Sequence, residues 1–246
     1  MKYQIGDLKA KIVSIIERDW PTTLKEWDVF SKRMEDLRST PHLILADYMP
    51  EPASAIRLAL KCKELRKILP AAYHHLCRIH PKDVFDARRR MYDDRRRKIY
   101  ARWCLLPPES IVLCLTARMQ FNEKSNTFRE IFMDRIRRLA LQHTPHDKQN
   151  TDACRLGLLR MCDSFFSDYA LRHDLLSSTL RFTQSSEILK VNWSICNDCA
   201  SEVRRLFERR RAELWNELPQ IFSLGKLHVF KYCFCIISDQ TSGISG

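Results

Sequence analysis

The stretch Cys196-Asn197-Asp198-Cys199 comes closest to chemistry in its residue types and spacing. Two thiols separated by two residues can share a zinc ion as thiolates, or can cycle between dithiol and disulfide. A closed zinc site normally takes four protein ligands, and the chain offers no second pair at this spacing. Cys154, Cys162 or His173 would have to complete the set in space. The favoured reading is therefore packed structural cysteines, with no metal ligand assigned and no cofactor expected. A zinc-stabilised structural domain stands as an alternative. A redox pair lacks the strand-and-helix context that thioredoxin-like motifs carry. Cys233 and Cys235 lie in FKYCFCII at 230–237, whose aromatic and β-branched content predicts a short strand. Convergence of this pair with Cys196 and Cys199 is the less favoured alternative.

Other candidates reduce to simpler readings. The chain has no glycine-rich phosphate loop, no zinc-protease histidine pair and no serine-hydrolase elbow. Asp93 and Asp94 are adjacent carboxylates inside an arginine-rich run, which does not define acid–base chemistry. His74 and His75 follow Tyr73 on a helix, where solvent exposure or local hydrogen bonding is expected. His143 and His146 flank Pro145 in a polar loop. No catalytic residue is assigned, and the chain is not read as an enzyme.

Composition sets the wider frame. The 246 residues carry 42 Lys and Arg against 30 Asp and Glu, a formal charge of +12. Such an excess attracts nucleic acid, anionic lipid or an acidic protein without choosing among them. Residues 82–102 hold nine Lys or Arg and four Asp, a net of five positive charges. Tyr92 and Tyr100 are available there for base stacking. No recognition helix or zinc-finger spacing accompanies this run, so nucleic-acid binding is the alternative to a solvated or protein-binding surface. A hydrophobic fraction of 45% with only 5 Gly predicts a folded chain. Charges interrupt the N-terminal region, which excludes a secretory signal core, and the apolar run at 229–237 is too short to span a bilayer. A soluble, cytoplasmic or nuclear protein with its 10 cysteines reduced is expected.

The elements that must position these residues read as helices. Pro52 to Ile79 carries Ala55, Leu58, Cys62, Leu65, Leu69, Ala72 and Leu76 at spacings of three and four, predicting two helices that share a core. Pro70 predicts a break near Lys67 to Leu69. Ile5, Leu8, Ile12, Ile15 and Ile16 predict an N-terminal helix, and Thr22 or Thr23 the cap of a second. Further apolar stripes are Ile111, Val112, Leu115 and Met119; Phe128, Ile131, Phe132, Ile136 and Leu139; and Leu156, Leu159, Cys162 and Phe166. Leu180, Phe182, Ile188 and Leu189 add to the core. A last helix runs from Cys196 through Ala200, Val203, Leu206, Phe207 and Leu214 to Trp215, with Arg204, Arg205, Arg209, Arg210 and Arg211 on its solvent side, and Pro219 closes or kinks it. The reading is a mainly α, irregular multi-helical scaffold: an N-terminal segment at 1–50, a helical domain at 51–225 and an atypical tail at 226–246.

Five ordered blocks add a resemblance. They are WPTTLKEWD at 20–28, MPEPASAIRLA at 49–59, ILPAAYHHL at 68–76, ARWCLL at 101–106 and LWNELPQIF at 214–222. Together they resemble the region downstream of the domain core in fungal BTB/POZ-containing proteins, over roughly residues 18–225. The resemblance implies a protein-interaction or adaptor module with a protein partner and no catalytic residues. It also implies that the chain begins with only the last part of a BTB core, so that dimerisation through that module is in doubt.

Overall fold

The structure, a computed structural model, describes residues 5–40, 48–79, 101–142, 148–167, 174–180, 183 and 186–224. Among these residues the chain is almost entirely α-helical and holds no β-strand. The helices are α1 (Ile5–Asp19), α2 (Leu24–Ser39), α3 (Pro52–Lys61), α4 (Leu69–Cys77), α5 (Pro108–Gln142), α6 (Lys148–Ser167), α7 (Leu175–Ser178), α8 (Ser186–Trp193) and α9 (Asn197–Ile221). Short 3-10 segments, Lys63–Ile68 and Trp103–Leu105, precede α4 and α5.

Local chemistry fixes the helix starts. Thr23 caps α2 by accepting the Glu26 amide at 3.2 Å, and the Glu26 carboxylate takes the Thr22 and Thr23 amides at 2.7 and 3.1 Å. This is a reciprocal capping box, and the donated hydrogen bonds hold the Glu26 carboxyl below its ordinary range. Pro52 occupies the first turn of α3, where its missing amide costs nothing. Glu51 caps that helix through Ala53 and Ser54 and also accepts the amide of Arg102 at 3.0 Å. One carboxylate thus starts α3 and pins the chain where it returns toward α5. The expected break comes earlier than Lys67: α3 ends at Lys61, and the tighter 3-10 segment carries the chain to α4. Within α3 the buried face runs through Ala53, Ile56 and Ala59, which leaves Leu58 exposed.

Helix α4 lies at the centre, with every residue from Ala71 to Cys77 buried. His74 and His75 are 1% and 0% exposed, which corrects the expectation of solvent. A helix enclosed on all sides places its histidines among aromatic rings. His74 meets Trp27 and Phe121 edge-on at 4.8 and 5.2 Å, and His75 meets Phe30 and Trp20 at 5.3 and 5.9 Å. Burial pushes the His74 imidazole down to about 4, opposed by Asp174 and assisted by Arg78. Arg118 satisfies the exposed end of α4 by donating to the carbonyls of Cys77, at 2.8 Å, and Ile79. Arg78 pairs with Asp174, the N-cap of α7, at 2.6 Å and lies over the Trp27 ring.

Phe128, Phe132 and Ile136 of α5 and Val203, Phe207 and Leu214 of α9 are buried as expected, but the first turns of α5, α6 and α1 depart from the expected stripes. Helix α5 is continuous over 35 residues and turns its small side, Ser110, Cys114 and Ala117, toward the core. The Ser110 hydroxyl meets the Tyr73 phenol at 2.8 Å, and burial raises that phenol to about 12. Val112 and Met119 are consequently 61% and 75% exposed, and Leu115 and Ile131 are exposed with them. Helix α6 starts at Lys148, inside the stretch expected to be loop, and buries Cys154, Leu158, Met161, Cys162 and Phe165 rather than Leu156. In α1 the stripe is mostly solvent-facing: Leu8, Ile12 and Ile15 are exposed, while Val13 and Ile16 pack on the core.

Arg211 reverses its expected place. It is 4% exposed on the inner face of α9, where it pairs with Asp28 of α2 and donates to the Leu176 carbonyl at 2.9 Å and the Thr183 hydroxyl at 3.4 Å. Its guanidinium joins three separate parts of the chain. Phe222 ends the path, stacked on Tyr73 at 5.2 Å as expected for a segment that packs back.

Two outcomes follow for stability. Asp28→Ala strands a buried guanidinium and should cost about 3 kcal/mol in a urea titration, whereas Lys9→Ala, which removes the exposed pair with Glu64, should cost under about 1 kcal/mol. Unfolded His74 titrates near its ordinary value and folded His74 near about 4, so the stability present above the unfolded value is lost as pH falls toward the folded one. Between pH 7 and 5 this amounts to roughly 2 kcal/mol, and His74→Leu should flatten that part of the pH–stability profile.

Candidate metal centre

Helices α6, α8 and α9 meet at one end of the core. Phe165 of α6 and Phe132 of α5 both pack on Phe207 of α9, with ring centroids 4.9 and 4.8 Å apart. These rings hold the two long helices against α6 and fix how deeply α6 sits. The chain leaves α8 at Trp193, turns through Ser194 in the left-handed region (φ 56°), buries Ile195 and enters α9 at Cys196.

Gly157 permits the decisive approach. A Cβ at this position would lie 1.8 Å from the Trp193 carbonyl oxygen and 3.3 Å from Cγ1 of Ile195. Glycine alone lets the α6 backbone lie against the linker. One turn earlier on α6 is Cys154, whose sulfur accepts the Cys196 amide at 3.3 Å. Cys196 is the N-cap of α9, with extended backbone at φ −67° and ψ 164°, and Cys199 follows in the first helical turn. The sulfurs of Cys154, Cys196 and Cys199 all lie within 4.8 Å of one another.

Cys154 and Cys199 are buried, and Cys196 is half-buried. Burial raises the Cys154 thiol and pushes the Cys199 thiol well above its ordinary range, the neighbouring sulfurs adding to the latter shift. These groups are neutral thiols without a cation, and a metal would bind by displacing their protons. Sulfur ligands of a tetrahedral zinc lie about 3.8 Å apart, given Zn–S bonds of about 2.3 Å. A contraction of at most about 1 Å between any two sulfurs would convert this cluster into three corners of such a site.

Of the partners considered for Cys196 and Cys199, Cys154 arrives and Cys162 does not. Cys162 is buried farther along α6, where desolvation and Asp163 raise its thiol to about 12. His173, Cys233 and Cys235, the strand expected at 230–237, and the basic run at 82–100 lie outside the described residues. Cys154 carried no distinguishing spacing in the sequence. The one available signal was a glycine inside an otherwise helical pattern three residues later, a mark of close backbone approach.

An open groove lies between α5 and α9, lined by Phe128, Ile131 and Leu206. Ion pairs within its own walls, Lys124–Glu217 at 2.7 Å and Arg210–Glu213 at 3.2 Å, join four of its charged groups. Among the described residues no helix is long and apolar enough to cross a membrane. Comparison with protein-family models, curated proteins and solved structures finds no match. The thiol cluster must therefore be argued from its own geometry.

Gly157→Ala tests that geometry. The new methyl group forces α6 away from Trp193, which should lower stability by about 3 kcal/mol and part Cys154 from Cys196. A urea titration reads the first effect. The second should appear as faster alkylation of Cys154 in the folded protein.

Proposed function

We propose that the protein is a helical structural domain stabilised by a zinc ion on Cys154, Cys196 and Cys199. The observation that carries this reading is the convergence of three sulfurs from α6 and the start of α9 within 4.8 Å. Soft thiolates suit zinc, and a bond between α6 and the start of α9 would add a directional link to elements otherwise held by ring packing and the Gly157 contact. Among the described residues no fourth His, Cys, Asp or Glu joins the cluster. The half-buried side at Cys196 leaves the fourth position to water or another ligand. Metal binding of this kind contributes directly to folding free energy, about 2.7 kcal/mol when free metal is 100 times its dissociation constant.

Native mass spectrometry of the purified chain, before and after chelation, tests the proposal. One zinc per chain is expected, lost with chelator and lost in a variant carrying Cys196→Ser and Cys199→Ser, while Cys162→Ala keeps it. A chain that takes up no zinc from solution, or a double variant that binds as well as the parent, removes the assignment.

A second reading, the protein-interaction or adaptor module, is favoured by the exposed apolar stripe of Val112, Leu115 and Met119 on α5. Contiguous exposed apolar surface of this kind accompanies protein contacts. The BTB/POZ likeness that suggests it rests on the ordered sequence blocks.

A further inference from the structure

We propose that Cys196 is a site of oxidation by hydrogen peroxide or a small hydroperoxide, and that Cys199 resolves the product as a disulfide. The inference uses the same convergence of sulfurs as the zinc reading but does not require the metal.

Three observations carry it. The first is an asymmetry of access: Cys196 is half-buried, whereas Cys154 and Cys199 are buried, so an oxidant arriving from solution meets Cys196 first. The second is its placement as N-cap of the 25-residue helix α9, where its side chain makes no capping hydrogen bond. The third is a resolving thiol at hand, since the Cys199 sulfur lies within 4.8 Å. A disulfide needs about 2.05 Å between sulfurs. Cys196 sits outside the helical part of the turn, so rotation of its side chain and of the N-cap backbone closes much of that gap. Cys154 is the poorer resolver. It rides on α6, whose backbone already lies against the Trp193 carbonyl at Gly157, so only rotation of its side chain can bring its sulfur closer.

The chemistry balances with the peroxide as sole oxidant. The Cys196 sulfur attacks one peroxide oxygen, the O–O bond breaks, and the leaving oxygen departs as water or an alcohol after taking the thiol proton. The sulfur is then a sulfenic acid. The Cys199 sulfur attacks it, the S–S bond forms, the S–O bond breaks, and the hydroxyl leaves as water with the Cys199 proton. Two thiols and one hydrogen peroxide thus give one disulfide and two waters. In the zinc-loaded protein the same step consumes two of the three proposed ligands and releases the ion.

The full chain, metal-free in one arm and zinc-loaded in the other, would be treated with a few equivalents of hydrogen peroxide, alkylated and mapped by peptide mass spectrometry. The expected product in the metal-free arm is a peptide bearing both Cys196 and Cys199 that has lost two hydrogens and resists alkylation until reduced. In Cys196→Ser, Cys199 should stay reduced and alkylate as in the untreated chain, with folding checked by circular dichroism. Cys199→Ser should instead accumulate a sulfenic acid at Cys196 that a cyclic diketone probe captures. Reduced Cys196 and Cys199 in a chain whose other cysteines have oxidised would overturn the proposal. So would a Cys154–Cys196 linkage as the main product. Failure to bind zinc leaves this result standing, and zinc binding without disulfide formation in the metal-free arm defeats this inference alone.

Discussion

Helix α4 has no solvent-facing side, and that constraint organises its surroundings. A fully enclosed helix must satisfy its last carbonyls from neighbouring chain, and Arg118 of α5 does so by reaching back to Cys77 and Ile79. Its polar side chains must stay neutral or find partners, hence His74 held among rings with its imidazole depressed and Tyr73 bonded to Ser110. The first turns of α5 face it with the small residues Ser110, Cys114 and Ala117, before Phe121 meets His74, and that face leaves Val112, Leu115 and Met119 outward. The exposed stripe on α5 is thus a consequence of how α4 is buried.

At the other end of the core the governing contact is between α6 and the linker after α8. Phe132, Phe165 and Phe207 supply non-directional attraction among the long helices, worth about 1.5–3 kcal/mol per fully buried ring relative to exposure. They do not specify a sulfur cluster. Gly157 does so, by removing the one side chain that would keep α6 off the Trp193 carbonyl. Three sulfurs gathered at that junction, with Cys154 accepting the Cys196 amide, are a modest packing solution. The same three thiols, deprotonated around a cation, would bind α6 to the start of α9 far more strongly.

Much of the architecture was legible from sequence because helix caps and apolar periodicity are local. Thr23 with Glu26, Pro52 in a first turn, and the beginning of α9 near Cys196 all appear where their residue types place them. What escaped was rotation about the helix axis. A stripe read from large side chains pointed to Ile111, Val112, Leu115 and Met119, whereas packing buried Ser110, Cys114 and Ala117, one or two positions away, and of the stripe only Ile111 reaches the core. Arg211 was assigned to water because charge predicts exposure, yet its partners Asp28, Leu176 and Thr183 come from distant positions. His74 and His75 escaped for the same reason, since enclosure by Trp20, Trp27, Phe30 and Phe121 is a tertiary fact. The site divides along the same line. Cys196 and Cys199 announce themselves by spacing, and Cys154, 42 residues away from the nearer of them, is found only once the chain has folded.

X-ray absorption at the zinc edge of the loaded protein tests the central claim most directly, because it reads the atoms around the ion rather than its presence. The account predicts a shell of about three sulfurs near 2.3 Å with one lighter oxygen or nitrogen ligand. A shell made only of oxygen and nitrogen near about 2.0 Å would place the ion elsewhere and return Cys154, Cys196 and Cys199 to the role of packed core thiols.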